Sequence, residues 1–177
     1  MTGRTTRLVL IGPMGAGKST VGALLADAWG VSLRDTDQDI EAAEGRSVAD
    51  IFVESGEEYF RMREHQVVVA ALHEHDGVLA LGGGAVLDPR NREALAGHRV
   101  VFLRVGLADA VKRVGLGTGR PLLLGNVRSR VKTLLDERLP LYQEVADVVV
   151  DTDGRSAEEV ASAVQEAVAA LEEGTGG

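Results

Sequence analysis

A glycine-rich stretch near the start of the chain combines residue types that bind phosphate. Its sequence GPMGAGKS, residues 12–19, matches the pattern G-x-x-x-x-G-K-[ST] at every fixed position. Glycines let backbone N–H groups face phosphate oxygens, Lys18 can bridge the β- and γ-phosphates, and the Ser19 hydroxyl can bind Mg²⁺. The flanking apolar and amphipathic runs supply the expected strand and helix. The stretch predicts a nucleoside triphosphate site with Mg²⁺, which we favour over a glycine-rich turn without a ligand.

Two carboxylates follow the second apolar run, in the sequence RDTDQDIE, residues 34–41. On an extended chain Asp35 and Asp37 would point the same way. One could then lie near Mg²⁺ while the other accepts a proton from a hydroxyl group. The alternative is that acidic residues at a strand end only cap the next helix, which would suit Asp39 and Glu41. For Asp35 and Asp37 the residues alone leave both interpretations open.

Three further stretches contain residues suited to binding an anion or to a close approach of the backbone. Arg61 and Glu64 are three residues apart in a helix-period segment and can pair, and arginine can hold a carboxylate through two hydrogen bonds. The glycines 82–84 after the third apolar run indicate that a ligand approaches the backbone. Arg120 lies in a glycine-rich segment typical of a lid. Each stretch also has an ordinary structural explanation as a surface ion pair, a loop or a flexible turn.

The composition limits the classes of protein to which the chain can belong. Its 177 residues are enough for one domain, and the shares of hydrophobic (45%) and charged (26%) residues are those of a globular protein. A net charge of −8 argues against nucleic-acid binding, and the absence of cysteine excludes disulfides and thiol chemistry. No apolar stretch is long enough to span a bilayer, and the N-terminus reads as a strand. We expect a cytoplasmic protein without nucleic-acid or membrane partners.

Five short aliphatic runs alternate with helix-period segments, which predicts a parallel sheet flanked by helices. The predicted strands cover residues 7–11, 31–35, 78–81, 100–105 and 147–151. Ser47 followed by Asp50 indicates a helix start, and a longer helix is expected from about residue 57 to residue 72. The last segment has the periodicity of a helix that packs on the sheet.

Two regions have little aliphatic periodicity of their own, approximately residues 37–63 and residues 115–126. We interpret them as insertions over the carboxyl ends of the strands, where open α/β sheets bind ligands. The glycine-rich end of the chain, 172–177, is expected to fray. We expect no second domain.

Taken together, these motifs resemble the shikimate kinase family over nearly the whole chain. The ordered set is GPMGAGKST, DTD, FRxxE, GGG, RPLL and RLPLY. The resemblance implies ATP-dependent phosphorylation of the 3-hydroxyl of shikimate, a step towards chorismate and the aromatic amino acids. It also implies a single three-layer α/β P-loop kinase domain. Its five-stranded parallel sheet would have the order 2-3-1-4-5, with helices on both faces, a substrate-binding insertion and a lid.

The resemblance further implies a role for each matching residue. Asp37 would bind the reacting hydroxyl and accept its proton, and Asp35 would reach Mg²⁺ through water beside Ser19. Catalysis would rest on Asp37, Lys18 and Arg120. Glu64 would orient Arg61, and the shikimate-binding residues would be Asp37, Arg61, Glu64, Gly82, Gly83 and Arg138. The ATP-binding residues would be Gly15, Ala16, Gly17, Lys18, Ser19, Thr20, Arg113, Arg120 and Arg155.

Two residues depart from sequence patterns of related enzymes, and the motifs leave two alternative functions to be weighed. Ala80 stands where many P-loop enzymes have an acidic residue, a lack that the shikimate kinases share, and Ala157 stands where the family pattern leads us to expect proline. One alternative is another small-molecule kinase similar to gluconate kinase, against which GGG and RLPLY argue. The other is a catalytically silent nucleotide-binding regulator, against which Lys18, Asp37 and Arg120 argue. We expect a monomer.

Overall fold

Five strands form one parallel sheet in the computed structural model, which describes residues 6–118 and 124–175, with side chains for 6–113 and 128–174. The strands are β1 Leu8–Ile11, β2 Leu33–Asp35, β3 Val78–Ala80, β4 Val100–Arg104 and β5 Val148–Asp151. Their order is β2-β3-β1-β4-β5, and every neighbouring pair is parallel. The predicted fold class and strand order are confirmed, and each predicted strand contains an observed one.

Helices connect the strands and cover both faces of the sheet. They are α1 Lys18–Trp29, α2 Thr36–Glu44, α3 Val48–Ser55, α4 Glu57–Glu74, α5 Pro89–Leu95, α6 Leu107–Thr118, α7 Leu124–Val145 and α8 Ala157–Thr175, with a 3₁₀ turn at Ala85–Leu87. None of the helices in the described ranges is long and apolar enough to cross a membrane.

The core lies in two layers because alternate residues of a strand point to opposite faces. Leu8 and Leu10 of β1 belong to the layer that contains residues of α1 and α8, whereas Val9 and Ile11 belong to the layer that contains residues of α4 and α7. All four side chains are fully buried or within 1% of it. The central strand is thus held rigidly, and with it the loop that follows β1.

The insertion expected over residues 37–63 consists almost entirely of helix. Asp35 accepts hydrogen bonds at the start of α2, and the Ser47 hydroxyl accepts one from the Asp50 N–H at the start of α3, as the sequence predicted for Ser47. A small separate core formed by Ile40, Ile51 and Phe60 joins α2, α3 and α4. Short helices that pack on one another need few apolar positions each, so their periodicity in the sequence is weak.

The two remaining expectations of the chain's organisation concern the lid and the tail. Residues 119–123, including Arg120, lie outside the described residues, between the ends of α6 and α7. Helix α8 continues to Thr175, and the expectation that residues 172–177 fray stays a prediction. Glu172 also accepts a 2.9 Å hydrogen bond from Arg99, which ties the last turns of α8 to the segment before β4.

Candidate active site

A cavity of about 430 Å³ opens at the carboxyl ends of β1, β2 and β3. Its walls come from the glycine-rich loop after β1, the starts of α1 and α2, α4, the glycines after β3, and α7. Eleven of the predicted site residues line it: Gly15, Gly17, Lys18, Ser19, Thr20, Asp35, Asp37, Arg61, Gly82, Gly83 and Arg138. Ala16 and Glu64 are buried behind this surface. Most of the residues chosen from the sequence therefore meet in one place.

The loop between β1 and α1 leaves backbone donors free for an anion. Gly15 and Gly17 have φ values of 85° and 89°, a conformation that residues with a side chain rarely adopt. Gly17 precedes the first residue of α1 and offers no side-chain cap. The first hydrogen bond of α1 runs from the Val21 N–H to the Gly17 carbonyl at 2.8 Å, so the earlier N–H groups of the helix have no helical acceptor. The helix dipole adds to their attraction for phosphate.

Lys18 lies across this loop. Its Nζ donates hydrogen bonds to the Gly12 carbonyl at 2.7 Å and to the Pro13 carbonyl at 2.9 Å. Burial lowers the pKa of the Lys18 ammonium group to about 8, although the negative charges of Asp37 and Asp35 oppose the shift. The ammonium group is thus held at the edge of the cavity, beside the loop that would receive a phosphate.

Asp35 connects two elements of the site. Its Oδ1 accepts hydrogen bonds from the backbone N–H groups of Asp37 at 2.9 Å and Gln38 at 3.2 Å, and its Oδ2 accepts one from Ser19 Oγ at 2.8 Å. The expectation that Asp35 and Asp37 share an extended segment is wrong, because α2 begins at Thr36 and places Asp37 in its first turn. The capping interpretation is confirmed for Asp35, and the same carboxylate also reaches the hydroxyl of Ser19.

The two other acidic residues of this segment turn away from the cavity. Asp39 pairs with Arg34 Nε at 2.5 Å, and Glu41 Oε2 accepts a hydrogen bond from the Val48 N–H at 2.9 Å. Glu41 therefore helps to hold the start of α3. Both have structural partners, in keeping with the ordinary interpretation of these residues.

Asp37 lines the cavity and has an unsatisfied acceptor atom. Its Oδ1 is buried and has no hydrogen-bond partner within the described part of the chain. Burial and the nearby charge of Asp35 raise the pKa of the Asp37 carboxyl, while the charges of Lys18 and Arg61 act in the opposite direction. A Cβ at Gly82 would lie only 2.5 Å from this oxygen, so glycine is required for the carboxyl to occupy its position. A buried acceptor without a partner is uncommon in proteins, and it marks Asp37 as a candidate for a contact with a ligand.

Arg61 and Glu64 form the ion pair that their spacing predicted. Arg61 Nη1 donates a 2.8 Å hydrogen bond to Glu64 Oε1, and the Glu64 side chain is only 1% exposed. Burial raises the pKa of the Glu64 carboxyl, while the charge of Arg61 opposes the shift. The rings of Phe52 and Phe60 flank the guanidinium, whose Cζ lies 5.8 Å and 5.3 Å from their centroids. A Cβ at Gly84 would lie 2.5 Å from Arg61 Nη2, so the third glycine makes room for the cation.

Two hydroxyl groups that the sequence interpretation did not assign hold the triple glycine segment. The Gly82 N–H donates to Thr36 Oγ1 at 3.1 Å, and Tyr142 Oη donates to the Gly83 carbonyl at 2.5 Å. Arg138 precedes Tyr142 by one helical turn of α7 and lies beside the same segment. The signal for Tyr142 was present in RLPLY, because residues four apart share a helix face. The central residue of DTD, Thr36, had no such pattern.

Two of the predicted nucleotide-binding arginines, Arg113 and Arg155, do not line this cavity. Arg113 of α6 donates a hydrogen bond from Nη1 to the Gly15 carbonyl, so it reaches the glycine-rich loop from the outside. Arg155 is exposed in the loop after β5, beside Glu158 and Glu159. Arg120 lies outside the described residues. Their roles stay predictions.

A family model described as shikimate kinase matches residues 14–169. The chain belongs to the shikimate kinase family. A shikimate kinase from Streptomyces avermitilis is 59% identical over 162 residues, which are 92% of this chain and 95% of the relative. A shikimate kinase from Frankia casuarinae is 59% identical over 164 residues, 93% of this chain and 73% of the relative. The resemblance inferred from the motifs is confirmed.

Solved structures show the same relationship. A shikimate kinase from Acinetobacter baumannii in complex with shikimate superposes with a TM-score of 0.87 at 35% identity, covering 96% of each chain. A shikimate kinase from Bacteroides thetaiotaomicron gives 0.83 at 27% identity, covering 92% of this chain and 98% of that one. A gluconokinase from Sinorhizobium meliloti reaches 0.64 at 22% identity, with 97% of this chain and 95% of that one covered. The gluconokinase likeness shows a shared fold alone.

Proposed function

We propose that the protein transfers the γ-phosphoryl group of ATP to the 3-hydroxyl of shikimate, giving shikimate 3-phosphate and ADP. The observation that carries the proposal is the single cavity that sets a phosphate-binding loop opposite the unsatisfied Asp37 oxygen and two arginines. Phosphoryl transfer depends on positioning and charge neutralisation more than on covalent catalysis, and these residues supply both. Membership of the shikimate kinase family agrees with the proposal.

The donor half of the site would bind the triphosphate. Backbone N–H groups at the start of α1 would hold the phosphate oxygens. The Lys18 ammonium group would give up one of its two carbonyl partners and donate to a phosphate oxygen instead. The adjacent oxygens of Ser19 and Asp35 suit Mg²⁺, which binds oxygen and commonly takes one or two carboxylates with phosphates and water. The ion would neutralise charge on the phosphates. No group of three or more acidic or histidine side chains arranged to hold a metal ion occurs in the part of the chain described here, so Ser19 and Asp35 would hold the ion together with the phosphates.

The acceptor half would bind a small molecule that carries a carboxylate and a hydroxyl group. Arg61, held by Glu64 and flanked by two phenylalanine rings, would bind the carboxylate together with Arg138. The hydroxyl would donate to Asp37. During transfer the hydroxyl oxygen forms a bond to the γ-phosphorus, the bond to the β–γ bridging oxygen breaks, ADP leaves, and the hydroxyl proton moves to Asp37.

A shikimate titration of ADP release tests the proposal. With saturating ATP and Mg²⁺, ADP formation should rise hyperbolically with shikimate and remain at the ATP-only background with gluconate. A response to gluconate alone would indicate the other small-molecule kinase. No response to either acceptor, with ATP still bound, would indicate the silent regulator. Either result would overturn the proposal.

We also propose nucleotide roles for Arg113, Arg120 and Arg155, a cytoplasmic location and a monomeric state. The contact of Arg113 with the Gly15 carbonyl supports the first of these roles, since a nucleotide bound at the loop would lie beside it.

The monomeric state can be tested by light scattering after gel filtration, which gives the mass of the particle. A mass of about 19 kDa, that of one 18.7 kDa chain, would support the monomer, and twice that value would overturn it.

A further inference from the structure

The hydroxyl group of Tyr142 joins two parts of the proposed acceptor site. Its oxygen donates to the Gly83 carbonyl at 2.5 Å. The Arg138 guanidinium lies at the same glycine, with Nη1 3.6 Å from where a Gly83 Cβ would be, and its charge acts on the Tyr142 hydroxyl. A phenol has one donor and can accept as well, so the hydroxyl can accept a hydrogen bond from Arg138 while it donates to Gly83. The Tyr142 hydroxyl and the Arg138 guanidinium thus both lie against the middle glycine of the triple glycine segment.

The ring of Tyr142 is fixed in place. It is 1% exposed and stacks on Phe102 of β4, with ring centroids 4.8 Å apart and an angle of 26° between the planes. Burial raises the pKa of the Tyr142 hydroxyl to about 12, so the group remains protonated and able to donate throughout the neutral range. The hydroxyl is therefore held in a fixed position by the packing of α7 against the sheet, next to the longer side chain of Arg138.

We propose that Tyr142 is a positioning residue that fixes Arg138 and Gly83 for the acceptor carboxylate. The inference deepens the proposed function and rests on it. Arginine loses considerable conformational entropy when its side chain is held in one geometry, and a bidentate grip on a carboxylate needs that geometry. A contact that orders Arg138 before the acceptor arrives lowers this cost on binding. The Gly82 N–H, held by Thr36 Oγ1, fixes the other end of the same segment.

The variant Tyr142→Phe removes the hydroxyl and keeps the stacked ring. We expect the KM for shikimate to rise about tenfold, as for the loss of one hydrogen bond to a charged group, with the KM for ATP and the melting temperature little changed. Tyr59→Phe is the matched control, because the Tyr59 hydroxyl donates to Glu44 at 2.9 Å in the insertion, away from Arg138. It should change neither KM.

Two further measurements separate positioning from a general structural role. The first uses an acceptor in which hydroxymethyl replaces the carboxylate of shikimate. Tyr142→Phe should raise the KM for this acceptor much less than it raises the KM for shikimate, because the group that Arg138 binds is gone. The double variant Tyr142→Phe/Arg138→Lys should have nearly the shikimate KM of Arg138→Lys alone. The inference would be overturned if Tyr142→Phe raised the KM for ATP as much as the KM for shikimate, or raised the KM equally for both acceptors. It would also be overturned if the effects of Tyr142→Phe and Arg138→Lys on the shikimate KM were fully additive.

The outcomes for the inference and for the proposed function are distinguishable. A wild-type protein that responds to shikimate, with a Tyr142→Phe variant of unchanged shikimate KM, overturns the positioning role and leaves the activity in place. A wild-type protein without shikimate-dependent ADP release overturns both.

Discussion

Ser19 Oγ and Asp35 Oδ2 are joined by a 2.8 Å hydrogen bond that connects the start of α1 with the end of β2. The other oxygen of the same carboxylate caps α2. One side chain thus sets the position of the helix that carries Asp37 and places a carboxylate oxygen next to a hydroxyl oxygen. Asp35 therefore belongs to the proposed metal site and also positions Asp37, the proposed proton acceptor.

Asp35→Asn should raise the Mg²⁺ concentration needed for half-maximal activity. Asparagine is as good a helix cap as aspartate, so α2 should stay in place while the charge beside Ser19 is lost. Changes outside the first ligand shell of a metal cost about 10- to 100-fold in metal affinity, and we expect a shift of that order. The measurement is a Mg²⁺ titration of ADP formation at fixed ATP and shikimate.

The control for this variant is Asp88→Asn. Asp88 caps α5 in the same way, through a hydrogen bond from the Arg90 N–H, but lies outside the cavity. It should leave the Mg²⁺ requirement unchanged. An unchanged requirement in Asp35→Asn as well would exclude Asp35 from the metal site.

The outline of the fold could be predicted because its signals are local. Each strand is a short aliphatic run and each long helix has one apolar face, so alternation alone predicts a parallel α/β sheet. The phosphate-binding loop is equally local, since its eight residues fix both its shape and its chemistry. The strand order, by contrast, came from the resemblance to a family and not from the periodicity.

The orientation of Asp35 and Asp37 could not be predicted, because it depends on where α2 begins. A helix start one residue earlier or later would change which carboxylate caps and which faces the cavity, and boundaries are the weakest part of a prediction from sequence. The roles of Thr36 and Tyr142 were missed for another reason. Each hydroxyl bonds to the backbone of a segment 46 or 59 residues away, and only the folded chain brings those atoms together.

Asp37→Asn should lower kcat by about 10²- to 10⁴-fold, the range of a lost proton acceptor. The amide is nearly the same size as the carboxyl, so the cavity should keep its shape. Because burial raises the pKa of Asp37, its ionised form is disfavoured in the folded protein, and the neutral amide should not lower the melting temperature. Initial rates at saturating shikimate and ATP, with a thermal melt, test both expectations.

Asp39→Asn is the matched control for Asp37→Asn. Asp39 lies two residues further along α2 and pairs with Arg34, so its loss should leave kcat within about twofold of the wild type, as for most surface changes. Turnover near the wild-type level in Asp37→Asn itself would show that another group accepts the proton.

Arg61→Lys should raise the KM for shikimate and leave the KM for ATP nearly unchanged. Lysine keeps the charge but cannot make the two parallel hydrogen bonds to a carboxylate. We expect roughly a 10- to 100-fold effect, since a hydrogen bond to a charged group contributes about 1.5–3 kcal/mol. Arg63→Lys is the control, because Arg63 bonds to Glu44 and Gln66 in the same helix region. Equal changes in both KM values for Arg61→Lys would contradict the role in acceptor binding.

Glu64→Gln should weaken shikimate binding and change its dependence on pH. Glu64 holds Arg61 only while its carboxylate is ionised, so kcat/KM for shikimate should fall as the pH falls through the pKa of Glu64, which burial raises. With one titrating carboxyl fewer, the acid limb of log kcat/KM against pH should be less steep in the variant. Stability should not suffer at neutral pH. A carboxyl whose pKa is raised by folding loses its contribution to stability as the pH rises from its unfolded pKa through its raised folded pKa, and its ionised form is then disfavoured in the folded protein.

Glu57→Gln supplies the comparison for Glu64→Gln on the same arginine. Glu57 also pairs with Arg61, but at 3.4 Å and with 63% of its side chain exposed, against 2.8 Å and 1% for Glu64. Exposed pairs contribute little because water screens them, so Glu57→Gln should keep the wild-type pH profile and shikimate KM. If both variants gave the same profile, burial would not be what makes Glu64 effective, and the arginine would be oriented by its phenylalanine neighbours instead.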